Sequence, residues 1–157
     1  MAQAKHTTQR TDTKVRVLLA DDHPAMLQQE ARVLRQSHER NFEIVGETED
    51  GRTLLEMAEH VKADVAVLDI SMPGLSGLEV ARQLLVTNKQ IRLVFLTVHD
   101  DPDFAREAFA SGAWGYVVKS RLAHDLCNAI TSALEGRSFV SPTPALMPLR
   151  DARGPSS

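Results

Sequence analysis

Apolar positions along the chain follow two alternating rhythms. Five short runs have strand length: VRVLLA (Val15 to Ala20), FEIVGE (Phe42 to Glu47), DVAVLDI (Asp64 to Ile70), IRLVFLTV (Ile91 to Val98) and WGYVVK (Trp114 to Lys119). Most are rich in valine, isoleucine or leucine, as strands are. The third and fourth are almost unbroken in apolar side chains. That suits a parallel sheet covered on both faces.

Segments with helical spacing lie between the runs. Pro24 fits the first turn of a helix running from Ala25 to about Ser37, with Met26, Val33 and Leu34 as its apolar positions. Leu54, Leu55, Ala58 and Val61 follow the Asp50-Gly51 turn. Leu78, Val80, Ala81, Leu84 and Leu85 mark a third helix. Asp101-Pro102 opens a fourth, with Phe104, Ala105, Ala108 and Phe109. Leu122, Leu126, Ala129, Ile130, Ala133 and Leu134 mark a fifth. Strict alternation predicts an α/β fold, a doubly wound sheet of five parallel strands with five helices. This domain spans 14–137. Residues 1–13 are polar, and residues 138–157 hold four prolines without either rhythm. Both ends are expected to be flexible tails.

Composition narrows the function classes. A chain of 157 residues can bury a core without disulfides or metal staples. Its net charge of -3 gives no reason to expect nucleic acid or an anionic membrane as partner of this chain itself. No apolar run reaches the ~20 residues that span a bilayer. The polar N-terminus has no signal-peptide core, and the lone cysteine, Cys127, fits a reducing cytosol. The expected location is the cytoplasm.

In open α/β sheets, ligands bind beyond the carboxyl ends of the strands. The first run ends in Asp21-Asp22, the third in Asp69, the fourth near Thr97 and the fifth in Lys119. Three carboxylates gathered there raise one another's pKa unless a cation neutralises them. A hard divalent cation with oxygen ligands, Mg2+, answers that need. Lys119 could steady a carboxylate or a phosphoryl group, and Thr97 could donate to a phosphoryl oxygen. One carboxylate could act as nucleophile and form an acyl phosphate. His23 and His99 lie near this edge, but neither has a second histidine or cysteine at ligand spacing.

The stretches VLLADDHP, VAVLDISMPGLSGLEV, VFLTVHDD and GAWGYVVKS, in that order, resemble the receiver domain of two-component response regulators, and EGRSFVSP resembles the start of the linker that follows it. The likeness is narrowest to the NarL/FixJ (LuxR-type) branch, and the fold implied is flavodoxin-like. The resemblance implies that Asp69 is the phosphoacceptor. It implies Mg2+ on Asp22, on its neighbour Asp21, on Asp69 and on the backbone carbonyl of Ser71. It implies that Thr97 and Lys119 contact the phosphoryl group and that Tyr116 is an aromatic switch turning inward on activation. The implied donor is a sensor histidine kinase or a phosphotransfer protein. A homodimer formed on phosphorylation is one expected output.

The resemblance implies a switch with at most self-dephosphorylation, not a dedicated enzyme. A Mg2+-dependent aspartyl-phosphate phosphohydrolase would place its two acids two residues apart, whereas Asp21 and Asp22 are adjacent. A pseudo-receiver would lack an acid, the threonine or the lysine, and all are present. Ser120 stands where many receivers have proline after the lysine, leaving open whether that bond is cis. The branch usually continues into a helix-turn-helix domain that reads DNA. Only a short proline-rich stretch follows Pro142 here. The alternatives are an isolated receiver of a longer transcription regulator and a stand-alone regulator working through protein contacts.

Overall fold

In the computed structural model, which describes residues 13–153, each of the five apolar runs is a strand. They are β1 (Lys14–Ala20), β2 (Asn41–Thr48), β3 (Val65–Asp69), β4 (Arg92–Thr97) and β5 (Gly115–Val118). Between and after them lie α1 (Pro24–Arg35), α2 (Gly51–His60), α3 (Gly77–Thr87), α4 (Pro102–Ala110) and α5 (Leu122–Leu134). Local chemistry starts these helices. Pro24 and Pro102 occupy first turns, where a missing N–H costs nothing. Asp50, Ser76 and Asp101 cap α2, α3 and α4 by accepting hydrogen bonds from Arg52, Glu79 and Asp103 amides.

All strand pairs are parallel, and the chain's strands are ordered β2-β1-β3-β4-β5 before a sixth, described below. Alternate strand residues face opposite ways. Leu18, Leu68, Phe95 and Tyr116 pack beneath α2, α3 and α4. Val17, Leu19, Val67, Val94 and Val117 pack beneath α1 and α5. Two covered faces explain why the central runs carry almost no polar residues. The chain steps outward from β1 to β2 and then returns past β1 to β3. The strand order therefore reverses between β1 and β3, which opens a crevice at their carboxyl ends.

Two expectations need correction. Among the described residues the sheet has six strands and the chain six α-helices, one more of each than predicted. Residues 138–153 are not a loose tail. Phe139–Val140 forms β6, parallel to the outer edge of β5, and Met147–Arg153 forms α6. Leu146 is fully buried, and Val140, Ser141 and Leu149 are buried with it. A two-residue strand has no readable period, and its order comes from packing on β5. The expected N-terminal tail, except residue 13, and residues 154–157 lie outside the described residues. Among the described residues, no helix is long and apolar enough to cross a membrane.

Candidate functional site

The β1–α1 turn builds half of the site. Asp21 follows the last residue of β1 and is fully buried, while Asp22 is half-buried. The His23 amide donates to Asp21 Oδ1 at 2.9 Å, so the turn into Pro24 fixes that carboxylate. Asp69 ends β3 and is also buried. Its Oδ1 accepts the Ser71 amide at 3.0 Å, which closes a tight turn on the carboxylate itself. Lys119, just past β5, reaches across the sheet. Its Nζ lies 2.9 Å from Asp21 Oδ2 and 3.1 Å from Asp69 Oδ2. It stands in a single 3₁₀ turn, Lys119–Arg121, and no described peptide bond is cis, including Lys119–Ser120.

Oxygens of Asp21, Asp22 and Asp69 and a ring nitrogen of His23 all fall within 4.8 Å of one another. Asp22 Oδ1 is shielded from solvent and accepts no hydrogen bond. Buried carboxylate oxygens left over in this way, all of them hard donors, fit a hard divalent cation, so this cluster could hold a metal ion. His23 enters it more closely than its spacing in the sequence suggested. Its Nδ1 is 3.1 Å from Asp22 Oδ1 and 3.3 Å from Lys119 Nζ.

The two switch candidates stand one and two strands away. Thr97 ends β4 and is fully buried, with Oγ1 accepting the His99 amide at 3.1 Å. Tyr116 is fully buried too, and its hydroxyl donates to the His99 carbonyl at 2.7 Å. His99 joins these to the acid cluster. Its Nε2 is 2.8 Å from Ser71 Oγ, and its ring stacks on Phe104 at 4.2 Å. One residue thus ties the β3–α3 loop to both switch candidates. No residue pattern pointed to this role, because its ties to Thr97 and Tyr116 run through backbone atoms.

The electrostatics separate the two buried aspartates. Burial raises the Asp21 pKa, but the neighbouring Glu30 carboxyl, the Lys119 ammonium and the His23 amide outweigh it and hold the group below the ordinary value. Burial dominates at Asp69 and raises it, against the Ser71 amide and Lys119. Burial would lower Lys119, yet its bonds to Asp21 and Asp69 and their charges raise it. Tyr116 is raised by burial, with Asp101 and Asp100 adding to it.

Glu30 is a fourth acid that sequence reasoning missed. It is buried on α1 beside Asp21, and neither carboxyl oxygen has a hydrogen-bond partner. Burial and then the Asp21 contact push its pKa up to about 10. The signal was there: Leu27, Glu30, Ala31 and Leu34 share one buried stripe at helical spacing. The apolar positions Met26 and Val33 are only partly buried. A carboxyl raised above its unfolded value keeps a proton that the unfolded chain has released. Stability from this group therefore falls as pH rises from about 4.5 toward about 10. Glu30→Gln keeps the shape and removes the titration. Its melting temperature is expected to gain on wild type as the buffer moves from about pH 5.5 to about pH 8.5. A gap that stays constant across that range would show Glu30 ionised in the folded chain.

A family model for the response regulator receiver domain matches residues 17–131. The transcriptional regulatory protein DegU of Brevibacillus brevis is 30% identical over 85% of this chain and 56% of its own length. A probable transcriptional regulatory protein NarL of Mycobacterium tuberculosis is 34% identical over 83% and 59%. The chain thus spans under three fifths of the length of these curated relatives. A two-component response regulator of the LuxR family from Aurantimonas sp. SI85-9A1 superposes with a TM-score of 0.80 at 29% identity, covering 90% of this chain and 99% of that one. The isolated receiver domain of RcsB from Salmonella enterica, solved with phosphomimetic BeF3-, gives 0.76 at 25% identity, covering 87% and 99%. The switch-point crevice, the acid cluster with its lysine and these likenesses agree: the chain belongs to the response regulator receiver domain family, in its NarL/FixJ type.

Proposed function

We propose that this chain is a phosphorylation switch with Asp69 as phosphoacceptor. The carrying observation is the buried Asp69 carboxylate, bonded to Lys119 at 3.1 Å and flanked by Asp21 and Asp22. The donor is the phosphohistidine of a sensor histidine kinase or phosphotransfer protein. An Asp69 oxygen attacks phosphorus, the phosphorus–nitrogen bond breaks, and the imidazole leaves with a proton. The product is an acyl phosphate. Asp21, Asp22, Asp69 and the Ser71 carbonyl are the residues to hold Mg2+, which supplies charge neutralisation for the incoming phosphoryl oxygens.

The protein's own groups do the remaining work. The Ser71 amide and Lys119 favour the charged carboxylate against burial, and so keep a nucleophile available. After transfer, Lys119 can follow the new negative charge, because its three N–H groups are already aimed at this edge. Thr97 Oγ1 accepts from His99 and has its own proton free to donate to a phosphoryl oxygen. Tyr116 is already inward, so phosphorylation favours the arrangement seen here over one with the ring turned out.

The output is control of transcription through a DNA-binding domain of a longer protein. DegU and NarL are named as transcriptional regulators, and one solved relative is an RcsB–DNA complex. The cytoplasm is the setting that such a partner implies. The test is incubation with acetyl phosphate. Wild type with Mg2+ should gain the mass of one phosphoryl group. Asp69→Asn, and wild type with EDTA, should gain none. Equal modification of wild type and Asp69→Asn would remove Asp69 from this role.

A further inference from the structure

Residues 139–150 form a docked unit that the acid cluster does not use. β6 adds to the outer edge of β5 through Phe139 N–H to Trp114 O at 2.9 Å and Ser141 N–H to Tyr116 O at 3.0 Å. Beyond the strand, Ser141 Oγ continues the ladder. It accepts the Val118 amide at 3.1 Å and donates to Asp125 Oδ2 on α5 at 2.8 Å. Arg121 clamps the same Asp125 carboxylate. Thr143 Oγ1 donates to Asp100 Oδ1 at 2.6 Å, in the loop between β4 and α4. The Arg150 guanidinium bonds back to the Val140 carbonyl and closes the unit.

Two of the unit's supports involve the switch candidates. Leu146 and Leu149 belong to the same buried apolar cluster as the Tyr116 ring, so turning Tyr116 outward would open the cluster that holds them. Asp100 follows His99, whose carbonyl is held by the Tyr116 hydroxyl and whose amide is held by Thr97. The inward tyrosine therefore also positions the acceptor for Thr143. A strand of two residues and a helix of seven have little stability of their own. Their order depends on the seat, and elements of this kind respond to small changes beneath them.

We propose that residues 139–150 are a strap whose docking is coupled to Asp69 through Tyr116, His99 and Asp100, so that phosphorylation tightens it. The proposal rests on Asp69 being the phosphoacceptor. Coupling is reciprocal: whatever favours inward Tyr116 favours the docked strap, and the docked strap favours inward Tyr116. The phosphoryl group thereby gains a route to the C-terminal end of the chain.

Hydrogen–deuterium exchange on the full chain tests this, with intact mass recorded on the same samples. Acetyl phosphate and Mg2+ are expected to slow exchange in peptides covering 139–150 by about tenfold, the size of one hydrogen bond to a charged group. Thr143→Val should take up the phosphoryl group as wild type does but lose most of that slowing. Unchanged or faster exchange in a sample whose mass shows phosphoryl uptake would overturn the coupling. If no uptake occurs, the phosphoacceptor reading fails instead, and a second arm still tests the strap. Tyr116→Phe keeps the ring and loses the bond to His99. It should speed exchange at 141–147 about threefold without any phosphate donor, and exchange equal to wild type would overturn the proposal.

Discussion

Lys119→Met is expected to lower stability by about 3 kcal/mol at neutral pH, because it leaves two buried carboxylates without their shared cation. The cost stays at the low end for a broken buried pair, since one carboxylate can take up a proton. Its pH dependence has a definite sign. The Asp21 pKa is depressed in the folded chain, so its pairing stabilises above the ordinary carboxylate value and is lost as pH falls through the folded value. The gap between wild type and variant should therefore narrow in acid. Lys119 is raised, so its own contribution persists until strongly alkaline pH. Urea unfolding near neutral pH and in acid measures both effects. Millimolar Mg2+ should restore part of the lost stability if the cluster holds the ion. Phosphoryl uptake should slow by at least about tenfold, since a preorganised cation beside developing charge is gone. Equal stability at neutral pH would mean that Lys119 is a solvated charge.

Gly77→Ala is the second large effect. A Cβ on Gly77 would lie 2.1 Å from the Asp69 carbonyl oxygen and 2.9 Å from the Ile70 Cα. Both are backbone atoms and cannot swing away. The loop must shift, at a cost of about 3 kcal/mol. Gly77 also donates its amide to the Ile70 carbonyl at 2.9 Å, so the shift passes straight to Asp69. Gly74, three residues earlier, is a control. Its φ is +75°, and beyond its chain neighbours no heavy atom lies within 4 Å of where a Cβ would stand. Gly74→Ala should cost only the left-handed backbone penalty, about 1 kcal/mol. Urea midpoints should rank wild type, Gly74→Ala, Gly77→Ala in falling order. Phosphoryl uptake should suffer in the last alone. The reverse order would contradict the close approach of α3 to Asp69.

These contrasts show what the sequence could reveal. The five main strands were legible because β3 and β4 are buried on both faces, which forces an apolar run. The acid cluster was legible because its members end strands, and parallel strands bring their carboxyl ends together. Gly74 and Gly77 lie three residues apart in one loop, and only packing separates their reasons. Glu30 was missed because a glutamate reads as a solvated face, although its place in the stripe with Leu27, Ala31 and Leu34 marks it as buried. β6 and α6 were hidden because Phe139, Val140, Leu146 and Leu149 find order on β5 and Tyr116 rather than in their own spacing. His99 was hidden because two of its contacts run through backbone atoms.

The central claim is that the phosphoryl group sits on Asp69 and nowhere else. Borohydride reduces an aspartyl phosphate to homoserine, which marks its position permanently. After treatment with acetyl phosphate and Mg2+, reduction and peptide mapping should find homoserine at position 69 alone. Homoserine at Asp21 or Asp22, or a phosphoryl group on a histidine or serine, would contradict it.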